Sequence, residues 1–105
     1  PGLQLDGPRA APAGAWSVEL ETGERVLVDK PTMIIGRSRT CDVIIPSAKV
    51  SRQHASLSRG GGGLWVEDLG SANGLWRGDH KVARERLQPG DEIRVSDQIL
   101  RFVLE

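Results

Sequence analysis

Between residues 16 and 104 the chain carries eight short apolar or alternating runs, and none is long enough for a helix. No window of 11 or more residues keeps the helical period of 3.6, so the pattern predicts strands. Many short strands joined by turns favour an antiparallel β-sandwich. The predicted strands are residues 16–20, 25–28, 32–36, 43–45, 55–57, 64–68, 91–95 and 99–104.

The segments between these runs contain the residues that tight turns need. They are TGE at 22–24, GGGG at 60–63, NG at 73–74, RGD at 77–79 and PGD at 89–91. GGGG lacks the GK[ST] that completes a phosphate loop, and it separates two predicted strands. We therefore expect a hairpin tip there.

The length of 105 residues suits a single domain with one core. Residues 1–15 are rich in Pro, Gly and Ala, which predicts a flexible leader or linker, and the folded domain is expected at 16–105. The chain begins with Pro1 instead of Met, so we expect it to be part of a longer protein.

Fourteen Lys and Arg balance fourteen Asp and Glu, so no overall field draws the chain to nucleic acid or to an anionic membrane. No apolar run spans a bilayer, and no signal peptide is recognisable. Cys41 is the single cysteine, which favours a reducing compartment and predicts a cytoplasmic protein. Cys41, His54 and His80 lack metal-ligand spacing, so neither metal nor cofactor is expected, and Cys41 is predicted to be part-buried.

The balanced charge hides a local excess. Residues 37–54 hold Arg37, Arg39, Lys49 and Arg52 against Asp42 alone, a formal charge of +3. Arg37 follows Gly36 where a predicted strand gives way to a loop, and its fork of donors suits phosphate or carboxylate, although a loop Arg is commonly a solvated surface residue.

Ser51 and His54 stand three residues apart and permit two interpretations. A nucleophile and its base, oriented by Asp68, would need a G-x-S-x-G elbow or an equivalent turn, which is absent. A structural histidine that bonds loop carbonyls is the better supported interpretation. Likewise, Asn73 with Gly74 is either a tight turn or an amide that clasps the main chain of an extended peptide.

The segments GRS (36–38), CDVIIP (41–46), VSRQHA (50–55), DLGSANG (68–74) and LQPGDEI (87–93), taken in this order, resemble the forkhead-associated (FHA) domain family. The likeness covers residues 33–95, and the flanking strands fit the rest of the fold. It implies an all-β sandwich of two twisted antiparallel or mixed sheets, with about 11 short strands and binding loops at one end.

The resemblance also implies roles for individual residues. Arg37, Ser51, Arg52 and Asn73 match positions that bind the phosphate or the peptide main chain. Gly36, His54 and Gly74 match positions that shape the loops. Ser38, Arg39, Ala72, Leu75 and Arg77 are candidate specificity residues.

Three positions depart from the commoner family pattern. Ala72 stands where many members have a Thr or Ser that donates to phosphate, and Leu75 replaces a Thr after the Asn-Gly pair. Arg77 precedes Gly78 where a second Asn-Gly is frequent. These departures bear on peptide choice more than on phosphate binding, and Arg77 is either an added charge near the binding edge or a solvated surface residue.

The function that the resemblance implies is non-catalytic recognition of phosphothreonine peptides, either in trans or from another part of the same protein. A small apolar niche for the methyl group would favour threonine over serine. The alternative is a phosphate-independent interaction module that uses a face of the sandwich. A nucleic-acid partner is disfavoured by the zero net charge, and the oligomeric state is left open.

Overall fold

The computed structural model describes residues 14–105, which form eleven strands and no helix. The all-β prediction is confirmed. The strands are β1 (Trp16–Glu19), β2 (Arg25–Leu27), β3 (Thr32–Gly36), β4 (Val43–Ile44), β5 (Ala55–Gly60), β6 (Gly63–Asp68), β7 (Leu75–Arg77), β8 (His80–Val82), β9 (Arg84–Leu87), β10 (Glu92–Val95) and β11 (Gln98–Leu104).

The strands form two sheets, as a sandwich requires. The six-stranded sheet has the order β2-β1-β11-β10-β7-β8, and the five-stranded sheet has the order β4-β3-β5-β6-β9. The short pair β3–β4 is parallel, whereas β3–β5, β5–β6 and β6–β9 are antiparallel. The five-stranded sheet is therefore mixed.

The apolar pattern of the sequence did not predict β7, β8 and β9. Each of these strands has three or four residues, and β8 and β9 are sheet edges. Three or four residues are too few for the alternation of apolar and polar side chains to be recognised with certainty in a sequence. The turn expected at RGD lies between β7 and β8, and Gly78 has a positive φ of 59° there.

The core lies between the inner faces of the sheets. In β10, buried Ile93 and Val95 alternate with outward Glu92 and Arg94, as one buried sheet face requires. Phe102, the single phenylalanine, is fully buried. Aliphatic side chains fill most of the remaining core.

The antiparallel order brings several loops to one end of the sandwich. Ile35 pairs with Ala55, and Ala55 pairs with Asp68, so the end of β3, the start of β5 and the end of β6 meet there. At the opposite end, Gly61 and Gly62 form the β5–β6 hairpin tip with φ of 59° and 77°. This confirms the hairpin predicted at GGGG, since such a two-residue turn needs positive φ.

Two further findings concern the limits of the domain. Residues 1–13 of the predicted leader lie outside the described residues, and Ala15 accepts a hydrogen bond from the Glu105 N–H at 3.0 Å. Within residues 14–105 there is no helix of the length and apolar character that crossing a membrane demands.

Candidate functional site

Arg37 begins the loop that follows β3 and is fastened to the loop between β4 and β5. Its N–H donates to the carbonyl of Ser51, and its Nε donates to the carbonyl of Val50, both at 3.0 Å. The residue is exposed, and its two terminal nitrogens have no hydrogen bond to the described residues. The guanidinium is thus oriented by the fold while four of its N–H donors stay available.

Ser51 connects the same loop to the loop between β6 and β7. Its hydroxyl oxygen accepts from the Ala72 N–H at 3.2 Å, and its own N–H donates to Nδ1 of His54 at 3.0 Å. A serine hydroxyl that accepts one bond keeps its proton for donation. Ser51 is half-buried, so this donor lies at the surface of the loop cluster.

His54 has no exposed surface and lies beneath these loops. Its Nδ1 accepts from Ser51 N–H, so the neutral ring carries its proton on Nε2, which donates to the carbonyl of Gly74 at 2.9 Å. Both ring nitrogens are engaged with the main chain. The structure thereby places His54 as a brace between two loops, bonded to one carbonyl and one N–H.

Asp68 organises the β6–β7 loop from within. One carboxylate oxygen accepts from the N–H groups of Gly70 and Ser71, both at 3.1 Å, and the other accepts from the Ser71 hydroxyl. The Ser71 hydroxyl in turn accepts from Gly74 N–H at 2.9 Å. Asp68 is therefore a loop cap, and the triad of Ser51, His54 and Asp68 does not assemble.

Asn73 reaches across to the neighbouring loop. Its side-chain Nδ2 donates to the carbonyl of Lys49 at 2.7 Å. The main-chain carbonyl of Asn73 accepts from the indole N–H of Trp76 at 2.9 Å. Gly74 follows with φ of 80°, where an L side chain would be strained and would also meet Lys81. Gly74 therefore has the backbone conformation that the turn interpretation requires, whereas the interpretation of Asn73 as an amide that holds an extended peptide stays a prediction.

Half-buried Ser38 and exposed Arg39 and Arg52 complete the rim of the cluster. Ser38 N–H donates to the carbonyl of Arg52 at 3.2 Å, and the Ser38 hydroxyl is hydrogen bonded to the hydroxyl of Thr40. Arg39 and Arg52 are exposed. The structure thus gathers these three residues with Arg37, Ser51, Ala72 and Asn73 at one end.

Leu75 and Arg77 do not join that exposed group. Leu75 is fully buried in the core. Arg77 donates to the carboxylates of Glu85 and Asp91 at 3.0 and 3.1 Å, and the bond to Asp91 raises the pKa of the guanidinium. Arg77 is thus an ion-paired residue on β7, with its charge compensated.

Cys41 is buried, more fully than the part-buried position predicted, and lies under the same loops. Its thiol donates to the carbonyl of Arg52 at 3.1 Å, and burial raises the pKa of the thiol. Within residues 14–105, no three His, Cys, Asp or Glu side chains come close enough together to hold a metal ion.

A family model described as FHA domain matches residues 33–96, which include every loop described above. The chain belongs to the FHA family. The sandwich and the loop cluster are therefore those of an FHA domain.

Curated relatives of this FHA domain are regulatory proteins by name. The oxoglutarate dehydrogenase inhibitor of Corynebacterium diphtheriae is 34% identical over 88% of this chain and 67% of its own length. The glycogen accumulation regulator GarA of Mycolicibacterium smegmatis is 36% identical over 94% of this chain and 65% of its own length. The chain thus spans about two thirds of these relatives.

A solved structure from a study of phosphothreonine-dependent FHA domain interactions superposes with a TM-score of 0.81. It is 25% identical in sequence, and the match covers 87% of this chain and 97% of that one. The FHA sandwich is thereby confirmed, and this FHA domain is a phosphorylation-dependent interaction module.

The sequence patterns missed a cleft of about 460 Å³ beside Asn73 in this FHA domain. Arg94 lies over the Trp76 ring at 5.2 Å and donates to the carbonyl of Ser96 at 2.7 Å. Trp76 and Arg94 are cross-strand partners, and β7 was not predicted, so their proximity had no signal in the local sequence. The cleft is lined by Lys49, Asn73, Trp76, Arg94, Ser96 and Asp97.

The single carboxylate of residues 37–54 is bonded to a lysine outside that segment. Asp42, the one carboxylate of residues 37–54, accepts from the Lys30 ammonium at 2.6 Å and from the Ile34 N–H at 2.9 Å. The bond from Lys30 is the main cause that lowers the pKa of Asp42. Because Lys30 compensates this carboxylate, Arg37, Arg39 and Arg52, which form no ion pair among the described residues, keep their charge for a ligand. Lys49 lies near the Asp97 carboxylate, with which it lines one cleft.

Proposed function

We propose that this FHA domain is a non-catalytic module that binds a phosphothreonine-containing segment of a protein through Arg37, Ser51, Arg52 and Asn73. One observation carries the proposal. The terminal nitrogens of Arg37 and the hydroxyl of Ser51 are free donors on two loops that hydrogen bonds fasten together, above a fully buried His54.

The chemistry of these donors suits a phosphate dianion. A phosphothreonine carries about −1.5 to −2 charge at pH 7 and three acceptor oxygens. Arg37 supplies N–H donors in a planar fork, Ser51 supplies a hydroxyl, and Arg52 adds charge. Each charge-assisted hydrogen bond contributes on the order of 1.5 to 3 kcal/mol. Because His54 already holds the loops, little ordering entropy is lost on binding.

Asn73 is suited to hold the peptide main chain beside the phosphate. Its Nδ2 is engaged with Lys49, while its Oδ1 has no hydrogen bond among the described residues and can accept a main-chain N–H of an extended peptide. Ala72 offers its N–H to Ser51 but no hydroxyl to the phosphate. Residues that flank the phosphothreonine lie over the cleft at Trp76 and Arg94, so these two side chains contribute to peptide choice.

The contacts of the Ser and His pair support a role without catalysis. The Ser51 hydroxyl accepts from Ala72, and both nitrogens of His54 are bonded to main-chain groups, so the ring is not placed to take the hydroxyl proton. A bound phosphothreonine would be held and released unchanged. The free thiol of buried Cys41 suits a reducing compartment, and we place the interaction in the cytoplasm.

The partner is a phosphoprotein in trans or another part of the same protein. A contact confined to a few loops predicts modest affinity, roughly micromolar, or about −8 kcal/mol. Arg37 and Ser51 bind the phosphate itself, so the module has negligible affinity for the same segment when its threonine is not phosphorylated.

The experiment that tests the proposal is calorimetric titration with four peptides of one sequence that carry phosphothreonine, phosphoserine, threonine or glutamate at the central position. Binding should be strongest for phosphothreonine and absent for threonine. Equal affinity for the phosphorylated and unmodified peptides would refute the proposal and favour a phosphate-independent module.

A further inference from the structure

The outer face of the five-stranded sheet carries a second group of cations, around Trp65 on β6. In the strand register, Trp65 lies opposite Arg86, and its neighbour Glu67 lies opposite Arg84. The Arg84 guanidinium lies 4.1 Å from the centre of the Trp65 ring, and that of Arg86 lies 6.0 Å from it. Arg59 lines the same depression, which has a volume of about 380 Å³. Arg59, Trp65, Arg84 and Arg86 together are called the Trp65 patch below.

The arginines of the Trp65 patch form no ion pairs in the part of the chain that the structure describes. Among residues 14–105, no carboxylate lies within ion-pairing distance of Arg59, Arg84 or Arg86, and Glu67 forms no ion pair with Arg84. By contrast, Arg25 and Arg77 each hold two carboxylates. Three guanidinium groups without an ion pair among the described residues therefore lie around one half-buried aromatic ring, with Glu67 opposite one of them in the strand register.

The Trp65 patch is separate from the phosphopeptide site. Trp65 pairs with Ser58, three residues along β5 from Ala55, which adjoins the binding loops. Three residues of strand correspond to about 10 Å. Arg59, Arg84 and Arg86 take part in none of the hydrogen bonds that hold the loop cluster together. Both surfaces are therefore able to hold ligands at the same time.

We propose that the Trp65 patch docks an acidic segment of a partner protein in an extended conformation. Arg84 and Arg86 are two residues apart on one face of β9, about 7 Å along the strand. Alternate side chains of an extended peptide have the same spacing, so two carboxylates separated by one residue match the two arginines. The exposed part of the Trp65 ring, on the neighbouring strand β6, supplies apolar contact beside them.

A protein segment suits the Trp65 patch better than a nucleic acid does. Binding of single strands relies on aromatic faces that are free to stack with bases, and the Arg84 guanidinium already covers one face of Trp65. A guanidinium over a ring keeps its edge N–H groups for bidentate bonds to carboxylates. Three cations in a neutral protein also give a weaker phosphate-binding field than nucleic-acid binders require.

The test is titration of the whole chain, at low ionic strength, with an eight-residue capped peptide that alternates Glu and Ser. Nuclear magnetic resonance follows the indole N–H of Trp65, assigned with Trp65→Phe. We expect the Trp65 signal to shift, and the double variant Arg84→Glu with Arg86→Glu to weaken binding at least tenfold. Arg101→Glu, an exposed site on β11 of the other sheet, is the control matched in charge to the single variant Arg84→Glu and should bind as the unaltered chain does.

Three outcomes would overturn the proposal. They are equal affinity in the double variant and in the unaltered chain, equal affinity for a peptide that alternates Lys and Ser, and tighter binding of oligothymidylate than of the acidic peptide. Phosphothreonine-peptide affinity is measured on the same double variant and should stay within twofold. The two sites therefore succeed or fail independently.

Discussion

The carbonyl oxygen of Arg52 occupies the place that a side chain on Gly36 would need. A Cβ built on Gly36 lies well inside van der Waals contact of that oxygen, which itself accepts hydrogen bonds from Ser38 N–H and the Cys41 thiol. The close approach of these two backbone segments is what brings Arg37 beside the loop of Ser51. Glycine at position 36 is thus a requirement of site geometry.

Gly36→Ala should lower both stability and phosphopeptide affinity, because the Arg52 carbonyl must move. We expect a loss of about 2 kcal/mol of unfolding free energy, in the range of overpacking, measured by urea denaturation. Gly60→Ala is the control, since a Cβ there meets no atom within 4 Å. Similar losses in both variants would contradict the steric explanation.

Replacement of Arg37 or Ser51 should separate binding from folding. Arg37→Ala and Ser51→Ala are each expected to weaken phosphothreonine-peptide binding at least tenfold, about 1.4 kcal/mol, because each removes donors to the phosphate. The melting temperature should change little, because neither side chain belongs to the core and the Ala72 N–H that Ser51 would release is on an exposed residue. Arg101→Ala serves as the control in calorimetry, and unaltered affinity in both site variants would show that the phosphate binds elsewhere.

His54→Ala should affect folding as well as binding. It leaves the Gly74 carbonyl and the Ser51 N–H without partners in a buried place, at about 1 to 3 kcal/mol per group. For a domain of this size the melting temperature should fall by roughly 10 °C or more. An unchanged melting temperature would contradict the role of His54 in holding the two loops together.

Acid stability should depend on Asp42. The bonds from Lys30 and Ile34 hold the pKa of this carboxyl below its ordinary value of 3.8. The ionised carboxylate therefore contributes stability that is fully present above pH 3.8 and is lost as the pH falls through the lower folded-state pKa. Asp42→Asn should destabilise the domain near neutral pH, with a difference that shrinks towards about pH 2.

The control for the acid experiment is Asp79→Asn. Asp79 is exposed in the turn between β7 and β8 and forms no ion pair among the described residues. Unfolding free energies from denaturant titrations at several pH values compare the two variants. A constant deficit of Asp42→Asn across the acid range would exclude the ionised carboxylate as its cause.

Phosphopeptide affinity should fall as the pH drops below the second pKa of the phosphate, about 6 when free. The cations of the loops favour the dianion and so lower that pKa in the complex. Affinity is then full well above pH 6 and declines below it. A phosphonate analogue with a different second pKa should move the midpoint, whereas a midpoint that stays fixed would assign the effect to the protein instead of the phosphate.

Local sequence was informative about the scaffold. Alternation such as that of Glu92, Ile93, Arg94 and Val95 predicted strands, and GGGG predicted the turn where Gly61 and Gly62 adopt positive φ. These features depend on neighbours within a few residues, because side-chain alternation and turn torsions are local properties. The order of motifs then indicated the family and, through it, the number of strands.

Tertiary structure alone decided which side chains meet. Ser51 and Ala72 are 21 residues apart, Asn73 and Lys49 are 24 apart, and Trp76 faces Arg94 only through strand register. Strand register also places Arg84 and Arg86 beside Trp65. Leu75 lies in the core, and Arg77 forms ion pairs with Glu85 and Asp91. Strand register is fixed by the burial of the whole inner face of each sheet. That burial depends on strands that are distant in the chain, so no single segment of the sequence contains the information.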